Sequence, residues 1–114
     1  VSHKIATKII ACVQELKNPS ILILGASYKA NTGDIRNSKV FDVTDELIKV
    51  SGNVRIYDPL VSRQDIPEKY SDFFINSPEL LCKWDVVAEL VTHTAFSDIE
   101  IPNATYRISL KDLV

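Results

Sequence analysis

A three-layer α/β domain built on a mainly parallel sheet of about five strands is the fold class this sequence predicts. Three observations carry that expectation. Short apolar runs, ILIL at 21–24 and DVVAELV at 85–91, read as strands buried on both faces, as parallel strands are. Segments with apolar residues at three- and four-residue spacing lie between or before them and read as amphipathic helices. The links are short, and a strand, a helix and a second strand joined closely imply a right-handed parallel crossover.

Taken in order, residues Ser2 to Lys17 read as a helix, with Ile5, Ile9, Cys12, Val13 and Leu16 on one face and Ser2 as its N-cap. Lys17, Asn18 and Pro19 end it. Ser20 to Leu24 is the first strand, closed by Gly25. Ser38 to Val50 is the second helix, with Ser38 as N-cap and Gly52 as a left-handed stop. Asn53 to Tyr57 is the second strand, ended by Asp58-Pro59. Gln64 to Lys69 suggests a helical turn, and Phe73 to Ile75 a minor strand. Ser77-Pro78-Glu79 has the chemistry of a helix start, giving a short helix over Pro78 to Lys83. Asp85 to Val91 is a further strand in which Glu89 is out of place, Phe96 to Ile99 one helical turn, and Thr105 to Leu110 the last strand.

The chain has 114 residues, which suits one domain and not two. Its net charge of −2 gives no nucleic-acid footprint. No apolar run approaches the roughly 20 residues of a membrane span, and the first residues lack a signal-peptide pattern. Cys12 and Cys82 lie far apart, without metal-ligand spacing to His3 or His93. They read as reduced, partly buried thiols of a cytoplasmic protein, and no metal site is expected. The chain opens on Val1 and contains no Met, which suggests a piece of a longer protein.

Three constellations carry possible chemistry. The first is the loop GASYKANTGDIRNS at 25–38. It matches neither the GxGxxG dinucleotide fingerprint nor the P-loop. Lys29 offers a mobile point charge to a phosphate or carboxylate, and Arg36 a planar fork suited to pyrophosphate, with Asp34 near enough to orient it. The plainer alternative is a solvated loop shaped by an Asp34–Arg36 ion pair. The second is Asp58 after the second strand, which either accepts from a ribose hydroxyl or caps its own turn. The third is His93 after the DVVAELV strand, more often a structural hydrogen-bonding group than a base. Ser27 has no assignable partner, and no catalytic nucleophile–base pair is legible. The residues alone describe a binding domain rather than a complete enzyme.

The loop GASYKANTGDIRNS resembles the G-x-x-[FY]-K-x-[DN]-T-x-D-x-R-x-S signature of the C-terminal, UDP-binding domain of the UDP-glucose/GDP-mannose (nucleotide-sugar) dehydrogenase family. VRIYDPLV and WDVVAELVTHTAF continue the likeness, so it runs from about Ser20 to Phe96. The resemblance implies a Rossmann-like domain over 19–114, preceded at 1–18 by the end of a connector helix from a central domain. It implies a full-length, NAD-dependent enzyme of polysaccharide biosynthesis. That enzyme oxidises the C6 alcohol of a UDP- or GDP-linked sugar to a carboxylate through a cysteine thiohemiacetal, and works as a homodimer. The catalytic cysteine and the main NAD site belong to N-terminal and central domains outside these residues, so no catalytic residue is expected here. By position, Tyr28, Lys29 and Arg107 would bind the UDP-sugar substrate, and Arg36 would reach NAD across the dimer. The sequence departs from the pattern at Thr105, where an acid is expected two residues before Arg107. It departs again at Asn37 and Lys39, which replace an acid and a proline. A rival reading from the residues alone is a stand-alone, flavodoxin-like α/β ligand-binding or regulatory module.

Overall fold

The computed structural model describes residues 2–76, 83–98 and 103–109. Helix α1 spans Ser2–Val13, strand β1 Ser20–Leu24, helix α2 Val40–Leu47, strand β2 Asn53–Tyr57, strand β3 Lys83–Glu89 and strand β4 Asn103–Ser109. Short 3-10 helices at Arg63–Asp65, Glu68–Phe73 and Thr94–Asp98 fill the connections.

The four strands form one sheet in the order β2-β1-β3-β4, and every pairing is parallel. The chain leaves β1 for one side of the sheet and then returns to the other. The carboxyl ends of β1 and β3 therefore flank the point where the strand order reverses, the usual ligand crevice of open α/β sheets.

β1 sits centrally and is buried on both faces, which is why its sequence is apolar without alternation. Ile21 and Ile23 face α1 and α2, packing with Ile5, Ile9, Val43 and Leu47. Leu22 and Leu24 face the other way, into a smaller cluster with Trp84, Val87 and Phe96. At the start of β1, the Asp85 carboxylate accepts the Ser20 N–H at 2.9 Å and so ties down the strand's first residue.

The first two strands run as the sequence predicts. Both helices are shorter than their apolar stripes suggest. α1 stops at Val13 because residues 14–19 must turn back toward β1. Asn18, with φ of 50°, accepts the Gly52 N–H on its side chain and leaves Leu16 largely exposed. α2 begins at Val40 and not Ser38. Ser38 still serves the helix start, since its Oγ accepts the Val40 N–H at 3.2 Å while donating to the Ala26 carbonyl at 2.6 Å. Gly52 is not the left-handed stop, because among the described glycines only Gly25 has positive φ. The helix instead tightens into bonds three residues apart, Lys49 N–H to the Glu46 carbonyl and Val50 N–H to that of Leu47.

The expected strand at Phe73 to Ile75 is reduced to a single bridge between Phe74 and Ile56, so the sheet among the described residues has four strands rather than five. Lys83 opens β3 instead of ending a helix, paired with Asn103. The rest of the expected helix at Pro78 to Lys83, and Cys82 with it, lies outside the described residues, as do Ile99 and Leu110. Glu89 is the last residue of β3, half-buried at the rim of the sheet, where its carboxylate can keep contact with water.

Gly25 is the point on which the exit from β1 turns. Its φ is +92°, and a Cβ there would sit 2.6 Å from both the Cβ and the carbonyl oxygen of Val91. Gly25→Ala should therefore destabilise the fold by about 2–4 kcal/mol, combining left-handed strain with a clash against backbone. A urea titration reads this as a lowered midpoint, and an unchanged midpoint would show that the turn relaxes freely.

Candidate functional site

Three chain segments leave the carboxyl edge of the sheet side by side: Gly25 onward from β1, Asp58 onward from β2, and Leu90 onward from β3. Asp58 joins them. Its side chain is fully buried, and one carboxylate oxygen, Oδ2, accepts the Ala26 N–H at 2.8 Å and the Ser27 N–H at 3.3 Å. The same oxygen lies 2.8 Å from His93 Nε2, and Oδ1 accepts the Leu60 N–H at 2.9 Å. The last of these bonds is the expected cap of its own turn. The burial rules out the ribose reading, because no hydroxyl from outside can reach this carboxylate.

His93 is equally buried, and its two ring nitrogens have distinct partners. Nδ1 faces the Asn31 N–H at 2.8 Å. A donor opposite Nδ1 makes that nitrogen the acceptor, so the ring hydrogen is on Nε2, directed at Asp58. Ser27 Oγ stands 3.2 Å from the same Nε2 and donates its own hydrogen to the Lys29 carbonyl at 2.9 Å. Ser27 thus has the histidine partner that its sequence context did not reveal. His93 is the structural hydrogen-bonding group the sequence suggested.

Above this buried layer the loop displays its charged residues. Tyr28 N–H bonds the Asp34 carbonyl at 3.0 Å, which folds the loop back on itself. Asn31 and Asn37 take φ of 61°, a conformation asparagine tolerates better than most residues. Gly33 passes close to the exit of β2, where a Cβ would collide with the Leu60 carbonyl oxygen. Tyr28 is 48% exposed, and the exposed Lys29 places its ammonium 5.5 Å from the Tyr28 ring centre. Arg36 holds Asp34 through a two-pronged ion pair, Nε to Oδ1 at 3.0 Å and Nη2 to Oδ2 at 2.8 Å. The ion pair of the plainer reading is therefore real. It also leaves the Arg36 side chain 86% exposed with its plane fixed, so shaping the loop and offering a cation are compatible. A cleft of about 540 Å³ runs beside this pair, between Gly33–Arg36 and Leu60, Ser62 and Asp65.

Tyr28, Lys29 and Arg36 are thus brought together on one loop. Arg107 is not among them. It lies exposed on the outer strand β4, in register with Val87 and two residues before the strand's end. Cys12 is half-buried on α1, its thiol 3.5 Å from the Lys8 carbonyl. Among the described residues no group of three or more His, Cys, Asp or Glu side chains is placed to hold a metal, and no helix is long and apolar enough to cross a membrane.

Two measurements test this geometry. The Arg36 guanidinium, through its hydrogen bonds to Asp34, holds that carboxyl down at about 2 instead of 3.8. A group with a lowered folded value contributes above its unfolded value and loses that contribution as pH falls through the folded one. The Asp34 carboxyl signal in NMR should accordingly titrate near pH 2, and Arg36→Ala should raise it only part of the way to the ordinary carboxylate range, because the backbone N–H of residue 36 still donates to Oδ1; the exposed pair adds little to stability. Asp58→Ala, by contrast, strands two amides and a histidine N–H in the interior. It should lower unfolding free energy by about 3–5 kcal/mol in urea titrations, and a loss below 1 kcal/mol would deny Asp58 its central place.

Comparison with known proteins matches this architecture. The family described as "UDP-glucose/GDP-mannose dehydrogenase family, UDP binding domain" matches residues 22–114. A UDP-N-acetyl-D-glucosamine 6-dehydrogenase of Salmonella typhi is 30% identical over 99 residues, which are 87% of this chain and 23% of that protein. A UDP-glucose 6-dehydrogenase of Glycine max is 38% identical over 56 residues, 49% of this chain and 12% of that protein. Among solved structures, a GDP-mannose dehydrogenase from Pseudomonas aeruginosa, seen in a ternary complex, shares the fold. Its TM-score is 0.64 at 23% identity, covering 85% of this chain and 24% of that one. The chain spans no more than a quarter of the length of the curated relatives it matches. With a parallel α/β sheet, the loop motif at its switch point and a family match over most of its residues, the chain belongs to the UDP-glucose/GDP-mannose dehydrogenase family, as its UDP-binding domain.

Proposed function

We propose that this chain is the substrate-binding domain of an NAD-dependent nucleotide-sugar 6-dehydrogenase whose catalytic cysteine and main NAD site lie in other domains of a longer protein. The observation that carries the reading is the loop at 25–38. Its backbone is fixed from below by buried hydrogen bonds, while Tyr28, Lys29 and Arg36 stay exposed along the carboxyl edge of the sheet. A site for a diphosphate needs cations held in place without being neutralised. Lys29 meets that need, with no carboxylate partner of its own among the described ion pairs.

In this assignment Lys29 supplies charge to the diphosphate or to the carboxylate that develops at C6. Tyr28 contacts the nucleotide-sugar beside it, and Arg107 adds a second cation from β4. Residues 1–18 would be the end of the connector from a central domain, and 19–114 the binding domain. The setting in this assignment is a cytoplasmic homodimer working in polysaccharide biosynthesis.

The fit to NAD is partial. α2 begins only after the long connection from Gly25 to Lys39, so the tight strand-to-helix turn that cradles a dinucleotide pyrophosphate is missing. What this domain offers NAD is the exposed Arg36 fork. When bound, NAD supplies the hydride acceptor, two hydrides being removed and one water consumed for each alcohol taken to carboxylate.

Lys29→Ala in the full-length protein, assayed with UDP-glucose and UDP-N-acetylglucosamine, should lower kcat/KM about 10-fold or more, ~1.4 kcal/mol of transition-state binding, with the melting temperature unchanged. Wild-type kinetics in that variant would remove the site assignment.

A further inference from the structure

Between Gly25 and Ser38 the loop has few backbone hydrogen bonds of its own, chiefly Tyr28 N–H to the Asp34 carbonyl and Ser38 N–H to the Ile35 carbonyl. Holding such a segment in one conformation costs about 1–2 kcal/mol per residue in backbone entropy. The bonds that offset this converge on His93. On one side of Lys29, Ser27 Oγ lies against Nε2 and donates to the Lys29 carbonyl. On the other, the Asn31 N–H is held by Nδ1, and the Asn31 side chain accepts the Thr94 N–H at 2.8 Å. The left-handed backbone of Asn31 turns its N–H and its side chain toward the same two residues, making a two-point clamp. Lys29 is therefore bracketed by anchors two residues before and two residues after it, both made through one imidazole, while its own side chain remains exposed.

We propose that His93 is the positioning residue for the Tyr28–Lys29 segment, fixing it against the sheet edge by accepting from Asn31 at Nδ1 and directing Nε2–H at Asp58 and Ser27. This rests on the reading that the loop meets a nucleotide-sugar. The ring is fully buried and touches no ligand itself. Its polarity does the positioning, because the ring also packs 5.3 Å, centre to centre, from Phe96 and an apolar side chain could keep that contact. Glutamine presents an amide oxygen and an amide N–H at nearly the separation of the two ring nitrogens, on a side chain long enough to serve both partners.

The test uses the full-length protein with three variants: His93→Leu, His93→Gln and Asn31→Gly. The last keeps a backbone that tolerates positive φ but removes the bond to Thr94. Amide exchange over 28–36 should quicken at least tenfold in the leucine variant and severalfold in the glycine variant. The KM for the UDP-sugar and the dissociation constant for UDP by calorimetry should rise by about the same factors, with kcat changed less than threefold. His93→Gln should recover exchange and UDP affinity to within about threefold of wild type. Equal UDP affinity in the leucine and glutamine variants would overturn the proposal; wild-type exchange and affinity in Asn31→Gly would leave His93 as the sole anchor on that side of Lys29 and so support it. If His93→Leu does not fold, Ser27→Ala takes its place, removing the hydroxyl that links Nε2 to the Lys29 carbonyl; quicker exchange over 28–36 and weaker UDP binding are expected, and wild-type values in that variant would overturn the proposal. Should wild type itself fail to bind UDP, the substrate assignment falls, and the exchange rates still judge the clamp.

Discussion

One buried carboxylate holds the functional edge of this domain together. Asp58 follows β2 directly, yet it binds the chain leaving β1, through the amides of Ala26 and Ser27, and the chain leaving β3, through His93. A carboxylate has about four acceptor positions, and here four donors converge on it, Leu60 N–H being the fourth. Burying that group without such partners would cost several kcal/mol, so the hydrogen bonds are a condition of the fold and not an ornament on it. The parallel sheet makes the arrangement possible. Only when all strands run the same way do three consecutive exits emerge on one edge within reach of one side chain.

Two layers of polar chemistry follow. The lower one, Asp58, His93 and Ser27, is buried and hydrogen-bonded, and with the exposed Asn31 clamped onto it the long connection becomes a fixed surface. The upper one, Tyr28, Lys29 and Arg36, is exposed and contributes little to stability, since an exposed ion pair is worth about 0–1 kcal/mol. Gly25 and Gly33 let the layers come close, the first against Val91 and the second against Leu60. The scaffold thus bears the entropy of ordering the loop, and the displayed side chains remain available for a ligand.

Legibility in the sequence divides along the same line. SILIL and NVRIY were readable to the residue because each apolar run ends in a residue of fixed meaning, Gly25 in one case and Asp58-Pro59 in the other. The apolar stripes run past the helix ends because a stripe such as Ile5, Ile9, Val13 and Leu16 does not announce where the chain must turn back, which is set where Asn18 meets Gly52 at the amino ends of β1 and β2. Lys29 and Arg36 stand out by their charge in a loop that follows a buried strand, and the motif shared with a family adds the roles expected of them. Ser27 and Asn31 were missed as partners of His93 because they lie more than sixty residues from it, and no periodicity links them. A usable signal was present all the same. Ser27, Asp58 and His93 each follow closely on a predicted parallel strand, and the strand order β2-β1-β3 brings those three ends together.

The same reasoning separates Arg36 from Arg107. Arg36 is on a loop whose backbone is pinned from within and whose guanidinium plane is set by Asp34, so its direction is defined before any ligand arrives. Arg107 stands on the edge strand β4, its backbone held by β3 and its side chain exposed. A preorganised fork loses less entropy on meeting a pyrophosphate than a free one does. The expected acid two residues before Arg107 would give it the orientation that Asp34 gives Arg36, and Thr105, having no charge, cannot. Of the two arginines, the one on the loop is held in a single direction by an acid, and the one on the strand has an uncharged threonine in that acid's place.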